Sequence, residues 1–420
     1  MPARRLLVIT YHHPPDTSGG HRWALMGKWL GQLGHEVVTV ASAAHGDLPD
    51  DSLTQTHRVG DLSSSAWLRR LLRRPPAGAA AGIASTPPPR LITDVIVPDA
   101  NLATWDPAAL VLSRRLLRQR EFDCVVTTGP PHSSHLIGLM LGRSRPAWIA
   151  DFRDGWRYEP LRPPWPTRVQ ERLDAGLEHR VVRAAEAVIG VTRPIAEDLR
   201  ARLGVPAAFI ANGWDPTWDA SLREDGLPDL PGDTFNIVHT GTLGAGGWRD
   251  PRPLFAALRR VGEESRDGAR RPRLVLAGAI DSELQELIAG LDGELVQHVG
   301  RLAREQSLAL QRRGDAVLLL TSAHHVSHAT GKLYEYLACG RPIIALAKGN
   351  EAARIVEETG TGITVAPDDV EAICGVLRSG VEGGLAAGYA PRALDRYVYP
   401  GPAEAVAELV EEAIARRATA

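Results

Sequence analysis

Cysteine is scarce in this sequence. The three present in 420 residues, Cys124, Cys339 and Cys374, are dispersed and odd in number, which excludes a disulfide framework and a paired-cysteine metal site. No run of 18 or more apolar residues occurs, so no membrane-crossing helix is expected. The opening MPARRLLVITYHHPP meets its prolines before the apolar core of a signal peptide could develop. Charge of one sign is lacking too: 48 Lys and Arg against 50 Asp and Glu leave a formal net charge of -2, which argues against the strongly basic face that bulk nucleic-acid binding requires and leaves local patches open. These absences describe a cytoplasmic protein that is not exported and has no nucleic-acid partner.

What is present is the alternation of short apolar runs with helical segments. A chain of this length exceeds one typical core and suffices for two α/β domains. Arg5 to Thr10 reads as a strand, a helix opens after Gly19-Gly20, and Glu36 to Ala41 completes a parallel βαβ unit. Gly19 and Gly20 allow close backbone approach to a ligand, but without a full GxGxxG they are as compatible with an ordinary turn. Residues 66–90 interrupt the rhythm with the basic, amphipathic run 67–74 and then a Pro/Ala/Gly stretch expected to be mobile. That run suits either a surface helix or a peripheral contact with the inner face of a membrane. Strands resume at Phe122 to Thr128, Ala147 to Asp151, Ala187 to Val191 and Ala207 to Ala211. A first domain is expected over 1–215. A linker rich in Pro, Gly and acid leads to a second domain over 234–390, with strands at Phe235 to Thr240, Arg273 to Gly278, Leu295 to Val299, Val317 to Thr321, Pro342 to Leu346 and Gly362 to Val365. Residues 391–420 end in an amphipathic helix from Pro402 to Arg417 that reads as packed.

The most informative stretch is ATGKLYEYLACGRPIIAL, Ala329 to Leu346. Thr330 is a plausible N-cap, Leu333 and Leu337 form an i, i+4 stripe, and Gly340 ends the helix. The unpaired N–H groups of the first turn and Lys332 suit a phosphate, and Glu335, one turn in, can reach a ribose diol. An ordinary amphipathic helix with a solvated Glu is the alternative. A second glycine-rich turn, Gly241-Thr242-Leu243-Gly244 followed by Arg249, lies at a strand end and suits a diphosphate or serves as an empty flexible loop. Gly300-Arg301 follows another strand. His132 with Ser133, and Asp151 with Arg153 and Asp154, sit where open α/β sheets place ligands; on their own the first reads rather as a helix cap and the second as a structural ion pair. His324, His325 and His328 lack the carboxylate or cysteine company of a metal site, so no metal is expected.

The Ala329–Leu346 stretch, with TTGPPHSSHL and DFRDGW, resembles glycosyltransferase family 4, retaining enzymes of the GT-B fold. The resemblance implies two Rossmann-like, doubly wound domains facing across a cleft, with the last helix crossing back to the first domain. It also implies transfer of a sugar from a nucleoside diphosphate sugar to a hydroxyl acceptor on a saccharide, a lipid or a secondary metabolite, with retention of configuration. No cofactor or metal is implied. The donor would contact Gly241, Thr242, Leu243, Gly244, Arg249, Gly300, Arg301, Ser327, Thr330, Gly331, Lys332, Leu333 and Glu335. Gly19, Gly20, His132 and Ser133 would face the acceptor, and His132, Asp151, Arg153 and Asp154 would carry catalysis. Many members have a Glu where this chain has Ser327. A nucleotide-sugar 2-epimerase of the same fold and a non-catalytic nucleotide-sugar-binding protein are the alternatives.

Overall fold

Runs of Val, Ile and Leu bounded by glycine or polar turns fold as the strands of two parallel sheets. The computed structural model describes residues 2–15, 21–44, 54–62, 95–160, 162–244, 250–265, 270–321 and 325–419. The basic run 67–74, Gly19, Gly20, Arg249 and His324 lie outside the described residues. The chain divides into two compact units, one running up to Gly213 and including Tyr399–Ala420, the other Trp214–Val398.

The first unit is built on β1 (Arg5–Thr10), β2 (Glu36–Ser42), β3 (Thr54–Val59), β4 (Cys124–Gly129), β5 (Ala147–Phe152), β6 (Ala187–Gly190) and β7 (Ala207–Phe209). Their order is β3-β2-β1-β4-β5-β6-β7, every neighbour parallel. Side chains alternate between two cores: Leu7, Ile9, Val38 and Val125 face one, Leu6, Val8, Val37 and Val126 the other. A parallel sheet buried on both faces requires this near-continuous apolar pattern. The last helix, Gly401–Thr419, covers the second face, where Val406, Val410 and Ala413 pack with Trp23, Met26 and Leu30 of helix His21–Gln32. Burying each large aliphatic or aromatic side chain contributes about 1.5 to 3 kcal/mol.

β3 was not anticipated from the sequence. TQTHRV has one aliphatic residue, yet it pairs with β2 from Val37↔Thr54 to Ser42↔Val59. It is an edge strand, half-buried along Gln55–Val59, so backbone pairing holds it where no apolar alternation marks it.

The second unit carries β8 (Thr234–Thr240), β9 (Arg271–Ala277), β10 (Val296–Gly300), β11 (Ala316–Leu320), β12 (Ile343–Leu346) and β13 (Gly362–Val365), in the order β10-β9-β8-β11-β12-β13 and again all parallel. Phe235, Ile237, Leu276, Leu318 and Ile344 pack with Leu254 and Leu258 of helix Arg252–Glu264 and Ile373 and Leu377 of helix Val370–Val381. Both sheets therefore reverse their strand order at one place, between β1 and β4 and between β8 and β11. The connections leave these strands in opposite directions, so the carboxyl ends open a crevice there. No helix among the described residues is long and apolar enough to cross a membrane.

One buried group works against stability. Asp106, at the start of helix Asp106–Gln119, is fully buried, and neither carboxyl oxygen has a hydrogen-bond partner among the described residues. The proton of the Ser133 hydroxyl is committed to Asp99 Oδ1 at 2.6 Å. Burial, and then the Asp99 carboxylate, push Asp106 up to about 8. Because the unfolded chain ionises it near ~4, the native state alone holds this proton across that window, and stability falls as pH rises through it. Asp106→Asn removes the dependence. Its melting temperature relative to the parent should be higher at pH 8 than at pH 5; a difference unchanged by pH would show that Asp106 titrates normally.

Candidate functional sites at the sheet switch points

In the second unit, glycine decides what can gather at the crevice. Gly241 beyond β8 and Gly278 beyond β9 adopt φ of 121° and 152°, a region that L side chains rarely enter. Gly241 N donates to Ala277 O at 2.6 Å and Gly278 N to Gly300 O at 2.7 Å, which prolongs the ladder past the strands. A Cβ on Gly278 would collide with Gly241 O, and one on Gly241 with Cε and Nζ of Lys332. The ammonium group thus lies against the backbone of the glycine turn. Leu243 is buried and donates to Ala279 O, while Thr242 is exposed and Gly244 half-buried.

Lys332 stands in the first turn of helix Gly331–Ala338. Thr330 occupies the N-cap position in an extended conformation, but its hydroxyl caps nothing: Oγ1 is buried without a partner among the described residues. An unsatisfied buried hydroxyl costs about 1 to 3 kcal/mol, which a ligand oxygen could relieve. Leu333 is a core residue, fully buried, so only its backbone is available to a ligand. Gly331 and Arg301 are exposed, and Gly300 is half-buried at the end of β10. Ser327 is half-buried in the loop whose Val326 O accepts from Glu351 N at 2.7 Å.

Glu335 is partly exposed but not free. Arg304 Nη1 lies 2.9 Å from Oε1, and Gln311 Nε2 lies 3.5 Å from Oε2 while donating to Thr240 Oγ1 at 2.8 Å. Arg304 in turn stacks on Trp218, 4.4 Å from its ring centroid. A carboxylate has about four acceptor positions, so this arrangement orients Glu335 and leaves acceptor positions for a diol. Sequence reasoning missed Arg304 and Gln311; neither carries a local signal, because both reach Glu335 from the preceding helix Arg304–Arg313. Among the described residues no group of three or more His, Cys, Asp or Glu could hold a metal ion.

In the first unit the expected residues separate into two groups. Asp151, fully buried at the end of β5, is paired with Arg22 rather than with its neighbour Arg153. Trp23 Nε1 at 2.7 Å and Thr128 Oγ1 at 2.8 Å also donate to it. Such a carboxylate is an anchor, remote from any exchangeable partner. Ser133 is likewise occupied, since its N and Oγ both donate to Asp99, at 2.9 and 2.6 Å. Arg153 donates to the carbonyl oxygens of Gly129 and Pro130 and so holds the turn after β4.

His132 and Asp154 do meet. With Asp99, Trp156 and Arg162 they line a cavity of about 260 Å³ beyond the ends of β4 and β5. His132 stacks on Trp156 at 5.1 Å and 8°, and its Nδ1 is buried without a partner among the described residues. Burial, with His135 and Arg153 nearby, holds its pKa well below the usual value, so the ring is neutral at pH 7. Burial raises Asp154, partly offset by Arg153 and His12. Asp99, also raised by burial, was missed; only its turn-like Pro98-Asp99-Ala100-Asn101 context signals it.

Comparison with known proteins bears on both units. The family description "Glycosyl transferase 4-like domain" matches residues 19–213, and "Glycosyl transferases group 1" matches residues 234–379. The structure is similar to sucrose-phosphate synthase from Thermosynechococcus elongatus, with a TM-score of 0.64, 16% identity, and coverage of 98% of this chain and 99% of that one. It is similar to an Anabaena protein in complex with UDP and glucose, with 0.56, 15%, 97% and 99%. UDP-GlcNAc 2-epimerase from Methanocaldococcus jannaschii gives 0.54, 12%, 97% and 99%. At these identities the likeness is one of fold. No curated protein matches by sequence.

Gly241→Ala tests the glycine turn directly. The added methyl must displace the Lys332 tip and occupies a backbone region costing roughly 1 to 2 kcal/mol. Calorimetry should show at least about tenfold weaker binding of a nucleoside diphosphate than in the parent; unchanged affinity would mean that the turn does not face the ligand.

Proposed function

We propose, from the premise that the chain belongs to the glycosyltransferases that join a 4-like domain to a group 1 domain, that it transfers a sugar from a nucleoside diphosphate sugar to a hydroxyl acceptor with retention of configuration. The observation that carries this reading is the Lys332 ammonium lying against the Gly241 backbone at the second sheet's switch point, beside the unpartnered Thr330 hydroxyl and the start of helix Gly331–Ala338. Those groups suit a diphosphate. Glu335, braced by Arg304 and Gln311, suits the ribose diol one turn further along.

Chemically, the sugar–phosphate bond breaks as negative charge gathers on the departing diphosphate. A fixed cation and a helix N-terminus stabilise that charge more in the transition state than in the ground state. Ser327 stands where a carboxylate nucleophile would be expected, so the route proposed is front-face: the acceptor oxygen bonds to the anomeric carbon on the side from which phosphate leaves, and a phosphate oxygen takes the hydroxyl proton. Neutral His132 and Asp154, around the cavity in the first unit, are proposed to orient the acceptor hydroxyl. Lysine and the helix end supply the charge compensation, and the scheme requires no resident metal.

A panel of nucleoside diphosphate sugars followed by mass spectrometry tests the activity. Release of free nucleoside diphosphate with a glycosylated acceptor supports it, an altered sugar still joined to its nucleotide indicates an epimerase, and binding without turnover indicates a sensor. Lys332→Ala should lower kcat/KM by roughly 1 to 3 kcal/mol of transition-state stabilisation, with kcat reduced as well as affinity. Glu335→Gln, which exchanges one acceptor oxygen for a donor, should weaken nucleoside diphosphate binding about tenfold or more and leave the 2′,3′-dideoxy analogue unaffected. Equal losses for both ligands would make Glu335 a structural residue.

A further inference from the structure

The first unit has a second concave site, far from neutral. A cavity of about 560 Å³ is lined by Arg143, Arg145, Arg180, Arg183 and Arg417, with His179 beside them. Arg143 and Arg145 precede β5, and Arg183 precedes β6. The cavity therefore lies at the amino edge of the sheet, the opposite edge from the crevice that holds His132 and Asp154.

The charge there is poorly compensated. Arg145 is buried and pairs with Glu186 at 2.8 Å, and Arg417 shares the same carboxylate at 3.3 Å. Among the described residues no other carboxylate pairs with any of the five. Arg143, Arg180 and Arg183 are exposed, and among the described residues the only side-chain bond these three make is from Arg183 Nε to His179 Nε2 at 3.2 Å. The acids of the helix Arg168–Ala184 are directed elsewhere: Glu171 to Arg157, Asp174 to Arg162, Glu178 to Arg202. The C-terminal end of that helix contributes about half a negative charge. With Glu186 this leaves most of the five guanidinium charges unbalanced.

We propose that this arginine-lined cavity binds a phosphate-bearing anion. Guanidinium groups offer paired donors that match phosphate oxygens, and several converging on one concavity favour a multiply charged group over a lone carboxylate. Arg145 and Arg417, held by Glu186, form a fixed floor; Arg143, Arg180 and Arg183 form the adjustable rim. The phosphate belongs either to a soluble compound or to a lipid headgroup, and the experiment separates these sources.

The test uses the full chain carrying Lys332→Ala, which weakens the other phosphate site, with and without Arg143→Glu, Arg180→Glu and Arg183→Glu together, so that only binding lost with the three arginines counts for the cavity. Inorganic pyrophosphate is titrated by calorimetry. Vesicles of phosphatidylglycerol in phosphatidylcholine are tested by co-sedimentation at low and at raised salt. The expected result is binding in at least one arm, weakened by salt and reduced roughly tenfold or more by the triple change. Binding of vesicles alone assigns a lipid headgroup, and of pyrophosphate alone a soluble anion. The corresponding triple Gln variant, with an unchanged melting temperature, separates lost binding from lost fold. If the parent binds neither probe, or the triple variants bind as it does, the cavity is not a phosphate site.

Discussion

The crevice of the first unit depends on one buried ion pair. Asp151 and Arg22 are 0% and 3% exposed along their side chains. Removing such charges from water costs several kcal/mol per ion, which only dense hydrogen bonding offsets. The offset is present. Asp151 takes Arg22, Trp23 and Thr128, and Arg22 spends its remaining donors on Ile210 O, Ala211 O and Asn212 Oδ1, each at 3.0 Å. The amino end of helix His21–Gln32, the carboxyl ends of β4 and β5 and the segment after β7 are thereby locked together. His132 and Asp154 project from the two turns next to this lock, which is what gives their cavity a defined shape.

The second unit solves the corresponding problem with backbone. Its crevice is lined by backbone groups bonded across strand ends, where the missing β-carbon of Gly278 lets the Gly241 carbonyl close in and that of Gly241 leaves space for Lys332. The charged side chains are braced from neighbouring helices. Arg304, stacked on Trp218, holds Glu335 at the cost of sharing one of its oxygens, so the carboxylate meets a ligand already oriented. The two units thus have the same winding and different ways of fixing their functional edge, one ionic and one peptidic. Neither edge draws on the arginines at the far side of the first sheet, whose surplus positive charge is hidden in a chain of near-zero net charge.

How much of this was legible beforehand follows from the range of each interaction. Strand positions were readable because a parallel sheet buries both faces and so writes a dense apolar run into the chain; β1 and β13 appear at the bounds their residues suggest. β3 escaped because an edge strand needs only its partner's hydrogen bonds. The helix start at Thr330 to Glu335 and the glycine turn at Gly241 were visible as local patterns, since cap, dipole and spacing act within a few residues. That Lys332 would rest on Gly241, 91 positions away, was not. Asp151 and Arg153, two residues apart on a strand end, suggested a pair, as residues i and i+2 share a strand face; Arg153 instead falls past the end of β5, and tertiary packing gave Asp151 to Arg22 and Arg153 to backbone carbonyls. The sequence by itself determined where strands and helices form and which loops reach the sheet edges, because these depend on periodicity and local chemistry. Only the tertiary structure decided which side chains at those edges are consumed as anchors and which face open space, because partners drawn from distant segments of the chain leave no trace in local order.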